Sequence, residues 1–171
     1  MPLTAELRQR IVDEAISWVK AKTPYRGWSK KKGVGADCGQ IIHAVYSAVG
    51  LLSKDIQLPK DYRLGVAQHR ASTEYVDLVA IYMREIPEAE AQAGDVVVYK
   101  FQDQLAYAHG AIIVRWPDKV VDAQLHGGVK IRHGINQPSF AKAFKRFFTL
   151  KEEYCTPHLD ADVHSSKLKL S

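Results

Sequence analysis

The chain is poor in cysteine and has no long apolar segment. Its 171 residues include two cysteines, too few for a disulfide framework, so nothing in the sequence requires an oxidising compartment. No apolar run approaches the roughly 20 residues that a membrane span needs, and residues 1–8 lack the basic-then-apolar order of a secretory signal. We therefore expect a protein that is made in the cytoplasm without a signal peptide and that must be delivered if it works elsewhere.

The sequence also lacks zinc-finger spacing, an RNA-binding aromatic signature and a long basic helix, so we expect no nucleic-acid partner. Its net charge is nevertheless +5, with a pI near 9.1. This excess suits an anionic polymer rich in carboxylates and phosphates, such as a cell wall, although a solvated basic surface would give the same balance.

The C-terminal segment carries residue types that bind metals, at Cys155, His158, Asp160 and His164. Their spacing matches no closed zinc motif, and the segment is polar, with little apolar anchoring. We therefore expect residues 154–171 to form a loose polar tail, and we expect neither a metal nor another cofactor.

The apolar periodicity predicts one α+β domain over residues 1–153. Apolar residues at three- and four-residue steps indicate a first helix that ends before Pro24, a second that begins at Cys38 and a third over residues 72–83. Helices first and strands afterwards favour an antiparallel sheet packed on the helix of Cys38. The short β-rich runs lie at residues 96–99, 110–114, 120–123, 129–131 and 146–150.

Cys38 is the most informative residue of the chain. It follows a glycine-rich turn and opens an apolar stretch, which places its thiol at a helix N-terminus with Asp37 as the predicted N-cap. The unpaired N–H groups and the helix dipole at such an end favour thiolate over thiol. A core cysteine has no need of this setting, although the glycines would also suit a simple tight turn.

His109 opens the strand-like segment of residues 109–114. A histidine in this setting is more often structural than catalytic, but a cysteine hydrolase needs only a nucleophilic thiol and an imidazole base. With Cys38 upstream, His109 becomes the candidate base. The two residues together predict a cysteine hydrolase.

A third polar group should hold the imidazole in the correct tautomer. The candidates on the following strand are Asp122, Gln124 and His126. A two-residue turn at residues 117–118 would set His126 opposite His109, with Asp122 on the same face but further along, whereas a wider loop would bring Asp122 alongside. Periodicity puts all three on the correct face and does not choose among them.

Three motifs, in this order, resemble those of NlpC-type cell-wall peptidases. They are Gly-Ala-Asp-Cys-Gly at residues 35–39, Ala-Gly-Asp-Val-Val at 93–97 and His-Gly-Ala-Ile-Ile-Val at 109–114. Each motif alone is weak, and the specificity lies in their order. The resemblance implies a papain-like fold and a cysteine peptidase that cuts peptidoglycan stem peptides, at a bond of the D-glutamyl-diaminopimelate type.

By this resemblance Cys38 takes the nucleophile position, His109 the base position and Asp122 that of the third, polar member. We predict that the thiolate attacks a peptide carbonyl to form a thioester acyl-enzyme, while His109 takes the thiol proton and later gives a proton to the leaving amine. Backbone N–H groups at the helix start would stabilise the oxyanion. Asp122 would orient the imidazole.

Tyr25, Arg26 and Asp37 are the candidates for substrate binding. Tyr25 resembles the family's tyrosine that points into the active site. Arg26, with the lysines at residues 30–32, precedes the nucleophile and would meet carboxylates of a stem peptide. A solvated loop is the alternative interpretation of this basic segment.

Two departures from the family pattern keep other functions open. Gly39 and Gln40 follow the cysteine where the family usually has Ser-Gly, so an amidase or acyltransferase acting on another amide is an alternative. The long connection over residues 61–90 resembles the peptidases of phage tails and gene-transfer particles, which implies tail or delivery proteins as partners. An inactive tail or assembly component is the non-enzymatic alternative, against which the presence of Cys38 and His109 argues.

Overall fold

A computed structural model describes residues 2–53 and 74–156 of the chain. Its main helices are α1 (Ala5–Lys20), α2 (Cys38–Ala48) and α3 (Glu74–Tyr82), with a short α4 (Pro138–Lys142) late in the chain. Thr4 starts α1, because its side chain accepts a hydrogen bond from the N–H of Leu7 at 3.2 Å. The buried stripe of α1 contains Leu7, Ile11, Val12, Ala15 and Trp18.

The strands form a six-stranded antiparallel sheet, so the predicted α+β class is confirmed. Its order is β3-β8-β4-β5-β6-β7, and a separate two-stranded hairpin pairs β1 with β2. The strands are β1 (Lys30–Lys31), β2 (Gly35–Ala36), β3 (Met83–Ile86), β4 (Val96–Lys100), β5 (His109–Arg115), β6 (Lys119–Gln124), β7 (Gly128–Arg132) and β8 (Phe144–Leu150).

The third predicted helix ends one residue early, and the strand β3 that follows it was not predicted. Met83 pairs with Leu150 of β8 instead of continuing α3. The predicted residues 72 and 73 lie outside the described residues. The sequence of β3, Met-Arg-Glu-Ile, is short and half charged, so it gives no strand signal by itself.

Two apolar clusters cover the two faces of the sheet. Val96, Val98 and Ile112 belong to the cluster that faces α1, α2 and α3. Alternate residues on the same strands belong to the other cluster, which includes Tyr99 and, from α4, Phe140. The helix α2 therefore packs on one face of the sheet, and its first residue reaches the end where β5 begins.

Among the described helices, none has the length and hydropathy that a membrane crossing requires. The boundary expected at residue 153 stays a prediction. The short 3₁₀ turn of Glu152–Tyr154 leads to Cys155, which is buried. The remaining ligand types of the C-terminal segment, His158, Asp160 and His164, lie outside the described residues.

Candidate active site

The thiol of Cys38 is held at a capped helix end, as predicted. The buried carboxylate of Asp37 accepts hydrogen bonds from the N–H groups of Gly39 and Gln40 through Oδ1, each at 2.9 Å. Its Oδ2 accepts from the N–H of Trp28 at 2.9 Å. Burial raises the pKa of the Asp37 carboxyl, against the lowering effect of these three bonds. The cap fixes the first turn of α2 and with it the position of the sulfur.

The imidazole of His109 meets the carboxylate of Asp122. His109 is the first residue of β5, and its Nε2 lies 2.8 Å from Asp122 Oδ2. The Cys38 thiol lies beside the same ring, close enough to raise the pKa of the imidazole by hydrogen bonding. Because Nε2 is engaged by Asp122, Nδ1 is the ring nitrogen left for the sulfur. The structure thus brings the three predicted catalytic residues together.

The two-residue turn considered above is wrong. The strands β5 and β6 pair Ile112 with Val121 and Arg115 with Lys119, with an irregularity between residues 113 and 115. Three residues, 116–118, therefore form the turn. If the pairing of Ile112 with Val121 is continued along the two strands, position 109 lies opposite position 124. Asp122 is then the diagonal neighbour of His109, at a distance that the two side chains can bridge.

Asp122 is fully buried and accepts three hydrogen bonds from side chains. Besides His109, Gln124 donates its Nε2 to Oδ2 at 2.8 Å, and Arg132 donates its Nε to Oδ1 at 2.6 Å. The Arg132 side chain is itself only 12% exposed. A carboxylate held by two fixed partners is a rigid acceptor for the third, the imidazole. Of the three candidates, Asp122 is the group that bonds to His109, and Gln124 supports it.

Sequence reasoning missed Arg132. The available signal was strand periodicity, because Arg132 pairs with Val120 and so lies on the same sheet face as Asp122. A basic residue on that face, near a buried carboxylate, would have been a candidate partner.

The charge state of His109 depends on its two partners. Burial alone disfavours the imidazolium and is the largest single influence on its pKa. The hydrogen bonds that the imidazole makes with Asp122 and Cys38, together with the coulombic effect of both groups, outweigh burial and raise the pKa of His109 to about 10. The imidazolium is therefore favoured at neutral pH, beside the sulfur.

Aromatic side chains form a wall around the His109 ring. The ring centroids of Tyr99, Phe101 and Phe140 lie 6.2, 5.8 and 6.0 Å from that of the imidazole. Packing on these rings restricts rotation of the imidazole and excludes water from its bond with Asp122.

Gly110 lets the strand of His109 approach the helix of Cys38. A Cβ atom at position 110 would lie 2.0 Å from the hydroxyl of Tyr75 and 2.9 Å from Cδ1 of Ile42. The same Tyr75 hydroxyl donates a hydrogen bond to the Cys38 carbonyl at 3.1 Å. The close contact between β5 and α2 therefore requires glycine here, for reasons of space.

A cleft of about 380 Å³ opens over Cys38 and His109, and Tyr25 forms part of its wall. Burial raises the pKa of the Tyr25 phenol, and the charges of Cys38 and Asp37 add to this effect. The phenol therefore keeps its proton and can donate a hydrogen bond in the cleft. At the start of α2, the N–H groups of Gly39 and Gln40 are taken by Asp37.

The other two substrate-binding candidates lie elsewhere. Oδ1 of Asp37 caps α2 and Oδ2 accepts from the N–H of Trp28, so both carboxylate oxygens are engaged. Asp37 therefore supports the nucleophile structurally and does not line the cleft. Arg26 is exposed, and its side chain lies over Gly35 of the β1–β2 hairpin, outside the cleft. Lys32 points to Glu14, with 2.8 Å between Nζ and Oε1.

Within residues 2–53 and 74–156, no group of three histidine, cysteine or acidic side chains is placed to hold a metal ion.

No protein-family model matches the sequence, and no curated protein matches it. Solved structures match the fold. The NlpC/p60 domain of the peptidoglycan hydrolase SagA is similar with a TM-score of 0.53 and 19% identity, over 84% of this chain and 98% of that one. An NlpC/p60 family protein from Bacillus cereus is similar with a TM-score of 0.50 and 16% identity, over 77% of this chain and 39% of that one.

A third solved structure, RipD from Mycobacterium tuberculosis, is described as a non-catalytic NlpC/p60 domain protein adapted to peptidoglycan binding. It matches with a TM-score of 0.45 and 14% identity, over 84% of this chain and 98% of that one. The first two structures show that this chain has the NlpC/p60 fold, and at these identities the likeness is one of fold.

Proposed function

We propose that this protein is a cysteine peptidase that hydrolyses amide bonds in peptidoglycan stem peptides. The observation that carries the proposal is the chain of contacts from the Cys38 thiol through the His109 ring to the buried Asp122 carboxylate. Nucleophile, base and orienting group are the three parts that acyl transfer through a thiol requires. The NlpC/p60 fold, which a peptidoglycan hydrolase shares, supports the substrate class.

In the proposed reaction, the Cys38 sulfur attacks the scissile carbonyl carbon, and the carbonyl π electrons move to oxygen. The tetrahedral intermediate collapses to a thioester as His109 gives its proton to the leaving amine. A water molecule, deprotonated by His109, then attacks the thioester carbonyl, and the sulfur leaves with its electron pair.

The oxyanion would be stabilised by hydrogen-bond donors at the start of α2. Asp37 already accepts from Gly39 and Gln40, so the N–H of Cys38 is the donor that we assign to the oxyanion, with the protonated phenol of Tyr25 as the second. Removing one such donor costs about 3–4 kcal/mol of transition-state stabilisation where it has been measured.

On sequence resemblance alone, we further propose that the bond cut is of the D-glutamyl-diaminopimelate type. By the same resemblance we propose that the protein reaches the cell wall as part of a phage tail or related particle. Finding the protein only in the cytoplasm of producing cells, and never in purified particles, would contradict this delivery route.

The test of the activity is digestion of purified muropeptides, with mass spectrometry of the products. We expect cleavage by the wild-type protein and by Cys155→Ala, which removes the other thiol, and none by Cys38→Ala. A folded Cys38→Ala variant that cleaves at the wild-type rate would refute the mechanism. Products that carry an added amine in place of water would identify an acyltransferase, and no cleavage by the folded wild type would favour the inactive alternative.

A further inference from the structure

A second pocket continues the catalytic cleft. It has a volume of about 620 Å³ and lies between the end of α1 and the turn that joins β6 to β7. Tyr25 and Leu125 line both the pocket and the cleft. A substrate chain that leaves Cys38 past these two side chains would therefore enter the second pocket.

Cations line this pocket, and none of the described carboxylates does. Lys22 and Lys130 are its charged residues, both are exposed, and neither has an ion-pair partner within the described part of the chain. A Cβ atom on Gly127 would meet Nζ of Lys130 at 3.7 Å and Nη2 of Arg132 at 3.0 Å, so both cations border the space that this glycine leaves open.

Arg132 adds a third cation beside Gly127. Its Nε is engaged by Asp122, but its Nη2 is buried and has no hydrogen-bond partner among the residues described. Asp122 therefore neutralises one edge of the guanidinium, and the other edge adds positive potential beside Gly127. Lys22 and Lys130, which have no ion-pair partner among the described residues, therefore face a concave space whose positive potential attracts an anion.

The backbone at Lys22 gives independent support. Lys22 has a φ of 49°, in the left-handed region where residues with a Cβ are disfavoured and glycine or asparagine is preferred. Its N–H donates to the Val19 carbonyl at 2.9 Å and closes the end of α1. Glycine would serve this backbone position better, so what lysine contributes here is its side chain.

We propose that this pocket is a carboxylate-binding subsite, in which Lys22 and Lys130 receive a free carboxylate of the peptide substrate. The inference rests on the proposed function and specifies its substrate as an acidic peptide. It also assigns to lysines that line the second pocket the carboxylate-binding role for which Arg26 and the lysines at residues 30–32 were candidates from the sequence.

The test uses stem peptides of one sequence whose carboxylates are converted to amides one at a time. The variants are Lys22→Gly, Lys130→Gln and their double, with Lys119→Gln as control because it removes an exposed lysine of β6 that lines neither pocket. We expect the wild type to favour the free acid over one of the amides by about tenfold in kcat/KM, as for a charge-assisted contact.

We expect this preference to fall about threefold in each single variant and to vanish in the double, while Lys119→Gln keeps it. The Lys22→Gly protein should unfold at the same or a higher temperature than the wild type, because glycine suits the backbone there. If Lys22→Gly is that stable, misfolding cannot explain a loss of its preference for the free acid. Wild-type preference in the double variant would overturn the subsite.

Binding separates this proposal from the hydrolase. The same acid and amide peptides are titrated by calorimetry into Cys38→Ala with and without the two lysine changes. If the wild type cleaves nothing but the lysines still govern the acid preference in binding, the subsite stands and the hydrolase does not. If peptides are cleaved with no preference for the free acid, the hydrolase stands and the subsite does not. Peptides that neither bind nor react would contradict both the subsite and the hydrolase.

Discussion

Replacing Asp122 by asparagine would remove the negative charge that pairs with two largely buried cations, His109 and Arg132. Asp122 has no exposed surface, and Nε of Arg132 and Nε2 of His109 lie 2.6 and 2.8 Å from its oxygens. Removing one partner of a buried ion pair costs about 3–5 kcal/mol, because the other charge stays buried without compensation. We expect Asp122→Asn to lower the free energy of unfolding by about this amount, a large part of the roughly 5–15 kcal/mol of a typical domain.

The assay is urea denaturation at pH 7 of Asp122→Asn, Arg132→Gln and the double variant. The double removes both charges together, so we expect it to cost at least about 1 kcal/mol less than the sum of the singles. The matched control is Arg115→Gln, which breaks the exposed ion pair with Asp118 and should cost under about 1 kcal/mol. Single-variant effects that add within about 0.5 kcal/mol would refute the reasoning.

The loss of unfolding free energy in Asp122→Asn should depend on pH, which tests the same contact a second time. The folded-state pKa of His109, about 10, lies above its ordinary value of about 6.5. The stability from the imidazolium–carboxylate pair is therefore fully present below about pH 6.5 and is lost as pH rises through the folded pKa. The stability gap between wild type and Asp122→Asn should shrink from pH 6.5 to pH 10, and a gap that widens would contradict this.

Three further predictions concern the same site. Gly110→Ala should destabilise the fold by about 1–3 kcal/mol through overpacking and reduce peptide cleavage. Both effects should be partly reversed when Tyr75→Phe removes the clashing hydroxyl. Thermal unfolding and kcat/KM are the measurements, and a Gly110→Ala protein with wild-type stability and activity would disprove the contact. Asp37→Ala should cost about 1–2 kcal/mol of stability by loss of the helix cap and slow cleavage, whereas Asp37→Asn should retain most of both; equal loss in the two variants would argue against capping. The alkaline limb of the pH profile of kcat/KM should lie near pH 10, where His109 loses its proton. In Asp122→Asn this limb should move to lower pH, because the carboxylate that raises the pKa of His109 is gone. A limb at the same pH in both proteins would assign the titration to another group.

Much of the fold was accessible from local patterns. The three-to-four-residue spacing in α1, the capping Asp37 before α2 and the β-rich runs each specify an element by short-range physics. The order of helices and strands was then enough to predict the α+β class. β3 was missed because its strand character depends on pairing with β8, some sixty residues later, and the sequence of β3 carries no alternation of its own.

The site was accessible only in part, for a related reason. Cys38 and His109 carry local signals, a helix start and a strand start, and their motifs have a fixed order in the chain. The choice among Asp122, Gln124 and His126 depended on the register of β5 and β6, which the three-residue turn at 116–118 sets and which periodicity leaves open.

The central claim is that His109 activates the sulfur of Cys38, and the rates of thiol alkylation test it most directly. Cys155 is an internal control, because burial raises the pKa of its thiol and, among the described residues, its sulfur donates only to the carbonyls of Leu150 and Lys151. At pH 6, iodoacetamide followed by peptide mass spectrometry should show Cys38 modified at least about tenfold faster than Cys155, with the difference lost in His109→Gln. Equal rates at the two cysteines of the folded wild type, or a fast Cys38 that is unaffected by His109→Gln, would contradict the account.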